Sequence, residues 1–365
     1  MKIKALIAPG DGREFTYSDV EIDDPRADEI LIKIEAVGLC HTDVLAQHGV
    51  FQFGTASVLG HEGAGVVERI GSDISKVKVG DRVCLSFRSC GVCQKCQTEQ
   101  PASCQDFAPL NVSGGRVDGS KALSHNGEVL ASNFFGQSSF ATHALTYEQN
   151  VVKIPDDIPF EIAAPMGCGV QTGAGAIMNS LDCEAGTSLV VAGCGVVGLS
   201  AVMAGKIRGC DPIAVIEPVA ARRELALELG ATHVIDPLAS DIAQQLKGIF
   251  PSGVNYALDS SARADVLEVL LDNLAVKGEL GLVGIIDPNA DFICSGAVLM
   301  SKGLSVHAII EGDSHPDSFI PELIAHFKAG RLPLDRLIAT YPLKEINTAI
   351  KDQSAGDCTK VVLIP

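Results

Sequence analysis

Ser188-Leu-Val-Val-Ala192-Gly193-Cys-Gly195-Val-Val-Gly198 is the stretch on which the fold turns. Ser188 to Ala192 reads as a buried strand, and a helical run continues to Arg208. Between them, Gly193 permits a tight turn, Gly195 lets a pyrophosphate approach the backbone, and Gly198 lets helix and strand pack closely. Val196 and Val197 open the helix, whose N-terminus then faces the phosphates. The glycine pattern alone is a weak signal; here the strand and the helix flank it on the correct sides. Glu217 ends the next strand, 19 positions after Gly198. A carboxylate there accepts hydrogen bonds from the adenosine ribose hydroxyls and repels a 2'-phosphate, which favours NAD over NADP. Arg222 and Arg223 follow closely and leave NADP open; Arg222 is grouped with the cofactor-binding residues. The plainer reading is a glycine-containing helix start and a surface glutamate, which the strand–helix–strand setting opposes.

Working downstream, strands are expected at Ile213–Ile216, His233–Ile235, Val254–Leu258, Leu280–Val283 and Leu304–Ile309. Helices are expected at 220–229, 241–250 and 264–274 between them. Alternating strands and helices mean a Rossmann-type, doubly wound parallel sheet, hence an α/β protein. Upstream the texture differs. Met1 to about Val151 carries short alternating runs broken by glycine, such as 29–35 and 65–70, which read as a mostly antiparallel β-rich unit. The tail offers a helix over 317–329 and a strand over 360–364, expected to return to the first unit. The expected organisation is therefore 1–165 as a β-rich first domain, 166–310 as an NAD-binding domain, and 311–365 rejoining the first.

The 365 residues suit two domains, and 47% hydrophobic content supplies the cores. A net charge of -17 repels phosphate backbones, so nucleic acid is not an expected partner. The N-terminus lacks the apolar core of a signal peptide, and no run has membrane-spanning character. A cytoplasmic protein with no membrane partner is expected.

In such a compartment clustered cysteines point to metal rather than disulfides. Of the 12 cysteines, Cys90, Cys93, Cys96 and Cys104 share one short segment with two-, two- and seven-residue gaps. Four thiolates this close can close a tetrahedral shell, a structural zinc site. Disulfide pairing, an iron–sulfur cluster and a nucleic-acid-binding zinc ribbon are the other readings. Compartment opposes the first, spacing the second, and net charge the third. Cys84, Cys183, Cys194, Cys210, Cys294 and Cys358 sit in apolar or turn surroundings and read as small buried hydrophobes.

A third set is dispersed. Cys40, His61 with Glu62, and Cys168 each sit at a glycine-rich turn. Two thiolates and one imidazole leave one position open on zinc, as catalysis requires. Taken singly, each is an ordinary core cysteine or an incidental histidine, and spacing alone does not unite them.

The sequence resembles the medium-chain, zinc-dependent alcohol dehydrogenase family over essentially its full length. Gly60-His61-Glu62 with Gly65, Gly71 and Ile74 carries the likeness, as do Gly80-Asp-Arg-Val83, the four-cysteine lobe and Gly193/Gly195/Gly198. The resemblance implies a GroES-like catalytic domain, two zinc ions per chain, NAD, and a homodimer or homotetramer. It makes Cys40, His61 and Cys168 the catalytic zinc ligands, with Asp43 and Glu62 orienting them. It makes Thr42 the first proton acceptor, His41 and Lys360 pyrophosphate contacts, and Thr172 and Val283 nicotinamide contacts. Three segments, Asn133–Ala141, Gly167–Gly175 and Ile310–Ser314, resemble the aryl-alcohol (benzyl alcohol) dehydrogenase branch.

The implied reaction is reversible oxidation of a primary aromatic or allylic alcohol to its aldehyde, with hydride passing to NAD. Many family members place a histidine five residues after the first cysteine ligand; here Leu45 stands there, with His48 nearby. The rival readings are a polyol or secondary-alcohol dehydrogenase, which often lacks the full cysteine lobe, and a catalytically silent NAD- or zinc-binding protein.

Overall fold

The structure, a computed structural model, describes residues 1–239, 241–284 and 295–365. Cys294, expected to be a small buried hydrophobe, lies outside them. The chain divides into two compact units. One comprises Met1–Cys168, His315–Ala325 and Leu334–Pro365; the other comprises Gly169–Ser314 and His326–Pro333. The divisions thus fall after Cys168 and Ser314 rather than at 165 and 310, and 326–333 joins the second unit.

The second unit holds a six-stranded sheet among the described residues. Its strands are Leu189–Ala192, Ile213–Ile216, His233–Ile235, Val254–Asp259, Leu274–Leu282 and Ser305–Ala308, and every pairing is parallel. The chain starts at the centre, winds outward through the second and third strands, then crosses back to the fourth, fifth and sixth. This is the doubly wound order, and ligands bind beyond the strand C-termini where the order reverses. The central strand Leu189–Ala192 is fully buried, as a strand covered by helices on both faces must be. Val190, Ala192, Leu267, Leu270 and Leu280 anchor the core there.

Two strand expectations shift. The fifth strand starts at Leu274, where a helix was expected to end. Lys277, Gly278 and Glu279 interrupt its apolar run, and Lys277 has φ +64°, so its first half hides from a pattern reading. The sixth strand is shorter than expected and largely exposed.

The first unit holds two further sheets. One is antiparallel and built on Lys2–Ala8 and Thr16–Ile22. The other runs antiparallel from Val151–Lys153 through Arg82–Leu85, Gly63–Ile70 and Ile30–Gly38 to Lys360–Ile364. That last strand also pairs in parallel with Ile338–Pro342, so the tail does close the first unit's sheet. Leu31, Ile32, Val37, Val361 and Leu363 are buried in the core of this unit. Among the described residues no helix is long and apolar enough to cross a membrane.

Candidate active site

The strand Ile30–Gly38 ends just before Cys40, and the short helix His41–Gln47 follows. His61 and Glu62 precede the paired strand Gly63–Ile70. Cys168 closes a short 3-10 turn, Ala164–Gly167. The sheet therefore brings together residues that lie far apart in sequence. One ligand atom each from Cys40, His61, Glu62 and Cys168 lies within 4.8 Å of all the others.

Asp43 organises this cluster. It is fully buried. Its Oδ2 accepts from the Cys40 N–H at 3.0 Å, and its Oδ1 accepts from the Gly60 N–H at 3.0 Å. The same Oδ1 takes His61 Nδ1 at 2.9 Å. That bond fixes the tautomer and turns Nε2 inward, as a carboxylate does behind a metal-bound histidine. Nε2 is buried and makes no hydrogen bond. A buried polar atom without a partner is costly, and a metal ion at this point satisfies it.

The charges agree with that donor set. A hydrogen bond with Cys168 and the charge of His61, working against burial, hold the Cys40 thiol well below its ordinary range. The thiolate is the ligating form. Burial disfavours a charged His61, but Asp43 and Cys40 more than offset it and hold its pKa well above the ordinary value. Metal binding at Nε2 displaces that proton.

Lys360, expected to contact the pyrophosphate, lies beside this cluster. It is fully buried; its Nζ lies 2.5 Å from Glu62 Oε2 and donates to the Leu39 carbonyl at 2.9 Å. Burial disfavours its charge, and the Glu62 carboxylate overcomes this and raises its pKa. Burial pushes the Glu62 carboxyl up, with Lys360 pulling it back. Lys360 and Glu62 thus form an internal ion pair beside the cluster.

The aromatic surroundings of His61 were not assigned from sequence. Phe135 stacks on the imidazole at 4.5 Å between centroids, and Phe134 meets it edge-on at 5.5 Å. Phe51 and Phe53 pack on Phe134, and Phe107 on Phe135. Gln137 ties this segment down: its Nε2 donates to the His61 and Ser86 carbonyls, and its Oε1 accepts from the Gly63 N–H. Gln137 thus holds the Asn133–Ala141 segment against the His61–Gly63 backbone. The available signal was its run of aromatic and amide residues, but nothing local says what they face.

Thr42 lies half-buried in the first turn of its helix, with Oγ1 3.7 Å from Cys40 Sγ. His41 is exposed at the helix start. Leu45 is half-buried on the same helix, and His48 is exposed with Nδ1 at 2.8 Å from the Val44 carbonyl.

The four-cysteine lobe is compact. All four Sγ atoms lie within 4.8 Å of one another. Cys93 and Cys96 sulfurs are 3.5 Å apart, and Cys90 and Cys96 sulfurs 3.9 Å. A disulfide needs ~2.05 Å. Four zinc–sulfur bonds of ~2.3 Å give a tetrahedron with edges of ~3.8 Å, so the spacing fits zinc. Backbone N–H groups of Cys90 and Cys93 donate to the sulfurs of Cys104 and Cys90, each at 3.3 Å.

In the second unit, Gly193 has φ +89°, which only glycine adopts readily. A Cβ on Gly198 would lie 1.8 Å from the Gly193 carbonyl oxygen, so the turn demands glycine there too. Gly195 caps the helix Val196–Arg208, and nothing lies within 4 Å of where its Cβ would be. Val196 and Val197 form the first turn of that helix, half-buried beside this space. Glu217 is 3% exposed; its two oxygens accept from the Cys194 N–H at 2.7 Å and the Val219 N–H at 2.9 Å. Arg223 donates to the Glu217 and Pro218 carbonyls and pairs with Asp236, while Arg222 is half-buried. Val283 follows the fifth strand, half-buried. Thr172, 9% exposed, lies on the helix Gly169–Gly175.

Comparison with known proteins fits this geometry. Residues 26–156 match the alcohol dehydrogenase GroES-like domain, and residues 196–329 match the zinc-binding dehydrogenase domain. A geraniol dehydrogenase of Castellaniella defragrans is 43% identical over 97% of this chain and 95% of its own. The crystal structure of an alcohol dehydrogenase zinc-binding domain protein from Burkholderia ambifaria is 41% identical with TM-score 0.97, covering 100% and 99% of the two chains. That of benzyl alcohol dehydrogenase from Acinetobacter calcoaceticus is 38% identical with TM-score 0.96, with the same coverage. The chain belongs to the medium-chain, zinc-dependent alcohol dehydrogenase family. It is an oxidoreductase acting on alcohols, of a family that uses zinc and a nicotinamide dinucleotide.

Proposed function

We propose that the chain oxidises primary alcohols bearing an aromatic or allylic group on the carbinol carbon, reversibly, with NAD as acceptor. The ring cluster at His61 carries this reading. Phe134 and Phe135 pack directly on the ligand imidazole, with Phe51, Phe53 and Phe107 behind them. Flat π-surfaces reward a flat substituent, each good ring pair contributing ~0.5–1.5 kcal/mol beyond burial. Geraniol is a primary allylic alcohol and benzyl alcohol a primary aromatic one, so the named relatives agree.

Cys40, His61 and Cys168 would hold the catalytic zinc, and Cys90, Cys93, Cys96 and Cys104 the structural one. Zinc at the first set supplies a Lewis acid that acidifies an alcohol hydroxyl. Asp43 holds His61 in the ligating tautomer. The aromatic cluster excludes water. Thr42 would take up the alcohol proton, since Leu45 has no proton to exchange and His48 is turned to solvent on the Val44 carbonyl. The dinucleotide would lie at Gly193–Gly198 with Thr172 and Val283 at its nicotinamide. Glu217 would select NAD: each oxygen keeps a lone pair for a ribose hydroxyl, and a 2'-phosphate meets a carboxylate. Arg222 would sit on the adenosine side.

The reading includes a homodimer or homotetramer, supported by the exposed outer strand Ser305–Ala308, an edge that a second copy can use. It also includes a cytoplasmic location, in keeping with eleven cysteines among the described residues of which none is in a disulfide.

The test is a substrate panel followed by NADH absorbance. Benzyl alcohol and geraniol should exceed saturated primary alcohols in kcat/KM by about tenfold, the size of one or two ring contacts. Preference for sorbitol or for short secondary alcohols overturns the reading.

A further inference from the structure

Two distant stretches of the second unit are joined side chain to side chain. Gln171, on the helix Gly169–Gly175, is fully buried. Its Nε2 donates to Glu311 Oε2 at 3.0 Å. The Ser314 hydroxyl lies 3.1 Å from its Oε1 and 2.7 Å from the Glu311 carbonyl. Two segments 140 residues apart, both marked in the sequence and neither given a joint role, are thus one element.

The turn that Gln171 grips is strained. Glu311, Gly312 and Asp313 have φ of +51°, +65° and +47°. Two of the three are not glycine, and L-residues avoid this region. Such a turn persists only where its surroundings over-determine it. Those surroundings come from 171–180: besides Gln171, Asn179 donates to the Gly312 carbonyl at 3.2 Å and Ser180 to Asp313 Oδ2 at 2.7 Å. The backbones also touch. A Cβ on Gly312 would lie 2.3 Å from the Gln171 carbonyl oxygen. On another side of the short helix, a Cβ on Gly173 would lie 2.0 Å from the carbonyl of Val197, in the helix that opens at the glycine turn.

Besides holding that turn, in which Glu311 is 7% exposed, the clamp constrains the short helix. It fixes rotation. Successive helical residues lie about 100° apart around the axis, so holding Gln171 dictates where Thr172 points.

We infer that Gln171, gripped by Glu311 and Ser314, is a positioning residue that aims Thr172 at the nicotinamide. The inference rests on the reading of Thr172 as a nicotinamide contact.

A swap of the pair tests it in the holoenzyme. Gln171→Glu places two carboxylates face to face; adding Glu311→Gln restores an amide–carboxylate pair in reverse. The measurements are the NADH dissociation constant by fluorescence titration and the single-turnover rate of benzyl alcohol oxidation, each also in a Thr172→Ala background. Gln171→Glu should weaken NADH binding and slow hydride transfer by about tenfold, the worth of one hydrogen bond to a charged group. The double variant should return both to within about twofold, and Gln171→Glu should add nothing once Thr172 is alanine.

If Thr172→Ala weakens NADH binding but Gln171→Glu does not, the positioning role is wrong. It is equally wrong if Gln171→Glu acts as strongly without Thr172. If Thr172→Ala changes neither quantity, the nicotinamide reading of Thr172 fails first, and the inference falls with it. Should Gln171→Glu not fold, Ser314→Ala loosens one arm of the clamp. A shift of about threefold in the same direction supports the role, and no shift overturns it.

Discussion

The two cysteine-bearing sets of this chain are built in opposite ways. The lobe at Cys90, Cys93, Cys96 and Cys104 is local. Three of its cysteines are half-exposed, and much of its geometry comes from backbone N–H groups on sulfur within one loop. The set at Cys40, His61 and Cys168 is assembled by a sheet. His61 and Cys168 are buried, and a buried carboxylate, an ion pair and stacked rings surround the set. Closing a short loop costs little entropy, so four like ligands on one loop can gather around an ion with little help from the core. Two thiols and an imidazole from distant turns come together only in the finished sheet, which also buries His61 and Cys168. If both sets hold zinc as proposed, the ion serves stability where its shell is local and full, and chemistry where its shell is remote and incomplete.

The largest contrast should come from removing one ligand of each set. Cys168→Ser should cost about 10³-fold in kcat, as several kcal/mol of Lewis-acid stabilisation is lost, and lower zinc from two ions to one with the melting temperature little changed. Cys93→Ser should also leave one zinc, but should destabilise the fold by roughly 4 kcal/mol, while the molecules that remain folded turn over near the native rate. Elemental analysis, calorimetry and kcat corrected for folded fraction separate the two. Equal losses of activity from both substitutions would erase the distinction.

A smaller effect isolates the scaffold of the buried set. Asp43→Asn keeps the size of the side chain but weakens its hold on His61 Nδ1, so zinc affinity and kcat should each fall about 10–100-fold. The lobe should keep its metal under the same chelator, which a competition titration reads directly. An unchanged chelation rate at the buried site would show that the ligands orient themselves.

The smallest effect probes whether a single charge sets cofactor choice. Glu217→Ser should reduce the ratio of kcat/KM for NAD over NADP by about tenfold, as one charge-assisted hydrogen bond and the repulsion of a phosphate disappear. Both zinc ions should remain. A native enzyme that prefers NADP, or a variant with an unchanged ratio, would take that role from Glu217.

The parallel sheet was legible because each of its elements announces itself locally. Buried strands read as apolar runs, and Gly193 and Gly198 are glycines for reasons that a single turn imposes. The start of the fifth strand was not, because Lys277, Gly278 and Glu279 break its pattern and only pairing with Val254–Asp259 makes it a strand. The lobe was legible because its ligands are neighbours in sequence. The family likeness carried the buried ligands; spacing alone could not have joined Cys40, His61 and Cys168.

Residue identities and their local order thus determined the fold class, the four-thiol lobe and the dinucleotide turn, since those depend on interactions within a few residues. Tertiary structure alone decided the rest. It turned Lys360 inward onto Glu62, set Phe134 and Phe135 against His61, and bound Gln171 to Glu311. Each is a contact between distant residues whose partner, burial and charge exist only after the sheets have paired, and no local pattern can specify them.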